Sequence, residues 1–84
     1  MPVVATVAGC AIRFYYRDHE PAHFHAEAPD GAEMLVRITD FSILAGSLPL
    51  PQRRAVLAWA APRRDALAVA WLRCREKKPV GRVE

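Results

Sequence analysis

Long apolar runs are missing from this chain. No stretch of its 84 residues approaches the about 18–20 apolar residues needed to cross a bilayer, which excludes a membrane-spanning helix. The opening Met1-Pro2-Val3-Val4 has no basic segment followed by an apolar one, so no secretory leader is expected, and the expected compartment is the cytoplasm. Cysteine is nearly absent. Cys10 and Cys74 stand far apart and form no CxxC pair, and in a cytoplasmic chain they are expected to be free thiols. Glycine is sparse too, with four residues, and none belongs to a P-loop or a GxGxxG fingerprint.

What is present is a globular composition. Hydrophobic residues make up 52% of the chain, too many for a disordered one. A single domain over 1–84 follows, and a chain of this size buries about 60% of its unfolded surface, enough for one modest core. Charge is divided between two halves. Residues 1–46 hold Arg13, Arg17 and Arg37 against six carboxylates, a net −3, whereas 47–84 hold nine basic residues against three acids, a net +6. A basic half of this kind can face DNA, RNA or an acidic protein, with Arg53, Arg54, Arg63, Arg64, Arg73 and Arg75 as contact residues. The plainer alternative is a solvated helical surface whose arginines pair with the acidic half.

Residues 1–46 read as strands. A first strand is expected around Val3–Val7, with a turn at Gly9. Ile12, Phe14 and Tyr16 then alternate with Arg13, Tyr15 and Arg17, as in a strand with two unlike faces. A hairpin follows around Pro29-Asp30-Gly31, pairing 23–28 with 32–38. With 29–31 as the loop, Phe24 faces Val36 and Ala26 faces Met34 on one side of the sheet, while His25 faces Leu35 and His23 faces Arg37 on the other. This register sets Glu27 opposite Glu33, which requires a longer loop or a nearby cation. Asp40 starts a turn, and 42–45 can add a fifth strand.

Residues 47–78 read as helical. Pro49 and Pro51 suit a helix start, Pro62 is placed as the first residue of a second helix, and Leu67, Ala70, Trp71 and Cys74 form its apolar stripe. The tail, 79–84, is expected to be loose or to pair at a sheet edge. Strands first and helices after give an α+β fold: an antiparallel sheet of four to five strands followed by two C-terminal helices packed on one face. The uncovered face would carry Arg13, Tyr15, His23, His25, Glu27 and Arg37.

That face contains most of the chemistry. All three histidines fall within Asp18-His19-Glu20-Pro21-Ala22-His23-Phe24-His25. His23 and His25 are two apart on a strand, so their rings leave one face about 6.5–7 Å apart at the backbone. They can converge on one metal, with His19 or Asp18 as a third ligand, and zinc would accept such a set. A metal-free alternative makes His19, His23 and His25 an acid–base set, with Arg13 or Arg37 stabilising a phosphate transition state, as in a small hydrolase or ribonuclease. A third reading is a structural turn. Trp59 and Trp71 read as core anchors, Tyr15 as a stacking surface, and the Ala60-Ala61-Pro62 connection is too short for a helix-turn-helix reader.

The motif Asp18-His19-x-Pro21-x-His23-Phe24-His25 resembles that of a small family of bacterial proteins designated a domain of unknown function, family 4160. Supporting segments are Ile12-Arg13-Phe14-Tyr15-Tyr16, Gly46-Ser47-Leu48-Pro49, Trp59 and Trp71. The chain departs from the family's pattern at Ala22, where a second proline is common, and at Pro62. The resemblance implies no established activity. It implies a gene neighbour encoding a second small protein, in a toxin–antitoxin-like arrangement. The expected function is accordingly a small regulatory module acting through that partner and through nucleic acid, with a metal-binding protein or small hydrolase as the alternative.

Overall fold

The computed structural model describes residues 3–83. Five strands come first: β1 (Val3–Val7), β2 (Cys10–Arg13), β3 (His23–Glu27), β4 (Glu33–Arg37) and β5 (Ile43–Gly46). They form one antiparallel sheet in chain order, β1-β2-β3-β4-β5. The helical half follows as α1 (Leu50–Ala60), a 3-10 turn (Ala61–Arg63) and α2 (Arg64–Arg75). No helix among the described residues is long and apolar enough to cross a membrane.

Each hairpin follows from local chemistry. Ala8 and Gly9 both take positive φ between the paired Val7 and Cys10, the twist that a two-residue hairpin needs. Between β3 and β4, Ala28 and Ala32 are joined by a 2.8 Å backbone bond, and Asp30 accepts the Ala32 N–H. The pairing is Phe24 with Val36, Ala26 with Met34, His25 with Leu35, His23 with Arg37 and Glu27 with Glu33. This is the register that matched apolar faces require. Asp40 closes the next turn by accepting from the backbone and hydroxyl of Ser42. Gly46, at φ 70°, pairs with Met34 where any Cβ would strike the Glu33 carbonyl, so only glycine fits this crossing.

One sheet face forms the core. Ile12, Phe14, Phe24, Ala26, Met34 and Val36 are buried with Val56 and Ala60 of α1 and Leu67, Ala70, Trp71 and Cys74 of α2. Each large side chain among them contributes about 1.5–3 kcal/mol by leaving water. α1 packs on β1 and α2 on β3, and Trp59 meets the Phe24 ring edge-on at 6.3 Å. Both cysteines are free and buried, and burial raises their thiol pKa values. The tail folds back, and the Val83 N–H donates to the Val4 carbonyl at 2.8 Å.

Three expectations need correction. The second strand stops at Arg13 and does not run on through Tyr16. Alternation persists to Phe14 and Tyr15, but the chain then turns, with the Asp18 N–H donating to the Tyr15 carbonyl. Tyr16 therefore ends 45% exposed rather than in the core. Pro62 does not open a second helix; it lies inside the 3-10 turn, and α2 begins at Arg64. Ala60, Ala61 and Arg64 keep helical dihedrals while Arg63 departs, so the helical half is nearly one helix from 50 to 75. The bond that Pro62 cannot make is to the carbonyl of exposed Ala58, which water can satisfy. Finally, His23 and His25 do not lie on an open face: they are 7% and 8% exposed.

Candidate metal centre

β3 brings the two imidazoles to one side because residues two apart on a strand share a face. The connection between β2 and β3 brings Asp18 back over them. Asp18 Oδ2 lies 2.8 Å from His25 Nε2 and 3.3 Å from His23 Nε2. The opposite ring nitrogens are held from behind. His23 Nδ1 is 2.8 Å from the Pro21 carbonyl oxygen, and His25 Nδ1 is 3.0 Å from Glu33 Oε2.

This pattern assigns the tautomers. A carbonyl oxygen only accepts, so His23 Nδ1 carries a proton and donates it to Pro21. By the same reasoning His25 Nδ1 donates to the Glu33 carboxylate. In a neutral imidazole the second nitrogen is then a bare lone pair. Both such lone pairs, on the two Nε2 atoms, face the same Asp18 oxygen. Lone pair against carboxylate is repulsive unless a cation or extra protons lie between them. The three ligand atoms fall within 4.8 Å of one another.

Burial comes from aromatic neighbours on three sides. The His23 ring lies 5.1 Å from Trp71 of α2 and 5.2 Å from His25, and Tyr15 meets His25 edge-on at 4.5 Å. Arg75 lies over the Trp71 ring, 5.6 Å from its centroid, and pairs with Glu20 at 3.5 Å. The end of α2 therefore closes a face that β3 alone would leave to solvent.

Glu27 and Glu33 do stand opposite each other, and a cation relieves them. Arg13 of β2 lies 2.9 Å from Glu27, whose other oxygen accepts the Tyr15 hydroxyl. Burial opposes the charge on Glu27, but the Tyr15 hydrogen bond and the charge of Arg13 hold its pKa below the usual value. That same bond pushes the Tyr15 pKa up to about 12, with burial adding to it. Glu27 thus has both oxygens engaged and serves as a brace rather than a spare ligand, although it lies within ligand distance of His25 and Glu33.

The remaining candidate residues lie elsewhere. His19 is exposed and outside both groups of potential ligands among the described residues. Arg37 faces His23 in the register, yet its guanidinium reaches Asp40 at 3.4 Å. Arg63 donates to the Trp59 carbonyl at 2.7 Å, and Arg64 lies over Phe41. Arg53, Arg54 and Arg73 are exposed on the helices. Sequence reasoning did not place Glu33 or Trp71 at the histidines. The Glu27–Glu33 conflict was the available signal for the first, and nothing local signalled the second.

Residues 9–72 match the family described as Domain of unknown function (DUF4160). The chain belongs to this family. The DUF4160 region contains Asp18, His23, His25, Glu27, Glu33 and Trp71, and ends before Cys74 and the tail. Neither a curated protein nor a solved structure matches the chain.

Proposed function

We propose that the protein binds a divalent transition metal through Asp18 Oδ2, His23 Nε2 and His25 Nε2. The observation that carries this reading is the back-bonding of both imidazoles: each Nδ1 donates to an acceptor while each Nε2 turns to a shared carboxylate oxygen. Metal-ligating histidines are oriented by a second-layer acceptor of this kind. Charge supports it. Asp18, Glu27 and Glu33 against Arg13 leave the cluster two charges negative with neutral imidazoles, and a dication balances that. Size supports it too. Ligands about 2.0–2.2 Å from a tetrahedral zinc stand about 3.3–3.6 Å apart, against 3.3 Å and 2.8 Å for the two Asp18 contacts, so of these two only the second must open, and the third separation lies within 4.8 Å. Three protein ligands leave a coordination position for water or a substrate group, the arrangement of catalytic rather than structural zinc sites. Protonation of both imidazoles is the competing way to balance the same charge.

Elemental analysis of untagged protein, followed by calorimetric titration with zinc, cobalt and manganese, decides between the two. Near-stoichiometric metal that is lost in His23→Ala and in Asp18→Ala is the expected result, with affinity falling in acid because protons compete for the ligands. Metal-free protein that takes up none of these ions would leave the cluster as a charged structural brace.

A second reading is favoured by a separate observation. The basic helical half is not neutralised by the acidic sheet: Arg75–Glu20 is the one ion pair between the two halves among the described residues. This supports a module that acts on a partner, the toxin–antitoxin-like pair that the family resemblance implies. Co-expression with the neighbouring gene product should give co-elution at low salt, and separate elution would end that reading.

A further inference from the structure

We infer that the outer face of α2, together with the returning tail, is a docking groove for an acidic amphipathic helix of another protein. This deepens the partner-module reading and does not depend on the metal. Val69 and Leu72, three residues apart on α2, are 50% and 59% exposed, which is unusual for side chains whose burial would release apolar surface from water. They do not stand on a flat surface. The helix ends with Lys77 in a positive-φ conformation, its N–H and that of Lys78 donating to the Cys74 and Arg73 carbonyls. The tail then runs back to β1, where Val83 is fastened to Val4. The result is a groove of about 500 Å³ over Val69, Leu72, Arg73, Glu76, Lys78 and Pro79. It is continuous, through Val69 and Arg73, with a second hollow of about 360 Å³ that reaches from Asp65 to Arg82. An i, i+3 apolar pair on a helix is the ridge against which a second helix packs.

The charge of the occupant follows from where this chain has spent its own charges. Five of the six carboxylates in residues 1–46 face cationic or ionisable partners within the fold. These are Asp18 with the histidines, Glu20 with Arg75, Glu27 with Arg13, Glu33 with His25 and Asp40 with Arg37. The sixth, Asp30, closes its own hairpin. Of the two other carboxylates among the described residues, Glu76 pairs with Lys78 and Asp65 stands alone, so a second copy offers a single free carboxylate there rather than an acidic stripe. At the groove, Lys78 is paired with Glu76, but Arg73 and Arg82 have no ion pair among the described residues. Arg73 lines both hollows and Arg82 the second; each hollow sets two basic residues against one acidic residue, Glu76 in the first and Asp65 in the second. The complementary surface is therefore apolar where it meets Val69 and Leu72 and acidic where it meets the two arginines. Nucleic acid matches the arginines but would leave Val69 and Leu72 uncovered.

Three fluorescent probes test this: a helical peptide with a leucine stripe flanked by glutamates, the same stripe flanked by lysines, and a single-stranded RNA. The glutamate-flanked peptide should bind the full chain at least about tenfold more tightly than the lysine-flanked one. Leu72→Asp and Arg73→Glu should each weaken that binding by about tenfold or more, with unchanged circular dichroism, since both positions are exposed. Equal or absent binding of the two peptides overturns the inference. So does RNA binding indifferent to Leu72→Asp with no peptide binding, or a dimer in sedimentation that Leu72→Asp dissolves. If the neighbouring gene product co-elutes with both wild-type and Leu72→Asp protein, the partner-module reading survives and the groove assignment fails alone.

Discussion

Phe24 and His25 are neighbours on β3, both are buried, and they are buried by different physics. Phe24 lies on the core face, fully enclosed by aliphatic side chains and the edge of Trp59. Its burial is non-directional and scales with area removed from water. His25 lies on the other face, held between Asp18 and Glu33 at 2.8 and 3.0 Å. Its burial depends on directed contacts with charged groups, and such a network is stable only when every member is satisfied. The two faces show that burial alone does not separate core from site. What separates them is whether a neighbour supplies contact area or a proton, a charge or a ligand atom.

The largest effect expected is on the core face. Phe24→Ala should lower unfolding free energy by about 3–5 kcal/mol in urea titration, because a buried ring is lost and a cavity remains. Its metal response should persist: zinc should still raise the midpoint of whatever folded fraction is left, since a ligand that binds only the native state stabilises it. His25→Ala should behave in the reverse way. Without metal it should lose about 1–3 kcal/mol, from the Glu33 carboxylate deprived of its Nδ1–H donor, and added zinc should no longer shift the midpoint. A zinc response preserved in His25→Ala would break the distinction between the two faces.

A smaller effect isolates the brace. Tyr15→Phe removes one hydrogen bond to Glu27 and should cost on the order of 1–2 kcal/mol at neutral pH. Tyr15 holds its proton to about 12 in the fold, against about 10 unfolded. The folded state thus binds this proton more tightly, so the stabilisation is complete below pH about 10 and is lost as pH rises towards 12. Urea midpoints between those pH values should fall for the wild type and fall less for Tyr15→Phe. The smallest effect is at His19. Because it is exposed and outside the cluster, His19→Ala should change stability by less than about 0.5 kcal/mol and leave zinc affinity unaltered. A clear loss of zinc affinity would add it to the ligand set.

Much of the sheet was legible from residue pattern. Alternation over 23–28 and 32–38 admits one register that matches apolar faces, and a one-residue slip would reverse both strands. The clash of Glu27 with Glu33 was visible on paper, and its relief by Arg13 follows from the same alternation one strand away. The histidine pair was legible because two residues on a strand must share a face. The choice of Asp18 over His19 as its partner was not, since it depends on how the chain turns between Tyr15 and Ala22. Tyr16 illustrates the same limit: periodicity continues in the sequence after the strand has ended in space.

The sequence by itself determined the α+β order, the hairpin register, the start of α1 at its prolines and the concentration of imidazoles on one side of β3. These are local properties, set by turn chemistry and by the two-residue and 3.6-residue repeats of strand and helix. Only the tertiary structure decided that the histidine face is closed. Trp71 lies 46 residues beyond His25 in the chain, and no local rule links them. α2 comes to rest at the end of β3 because its apolar stripe, Leu67, Ala70, Trp71 and Cys74, has one core to enter. Burying that stripe carries Trp71 onto His23, which turns a polar strand face into a pair of buried imidazoles edged by partly exposed carboxylates.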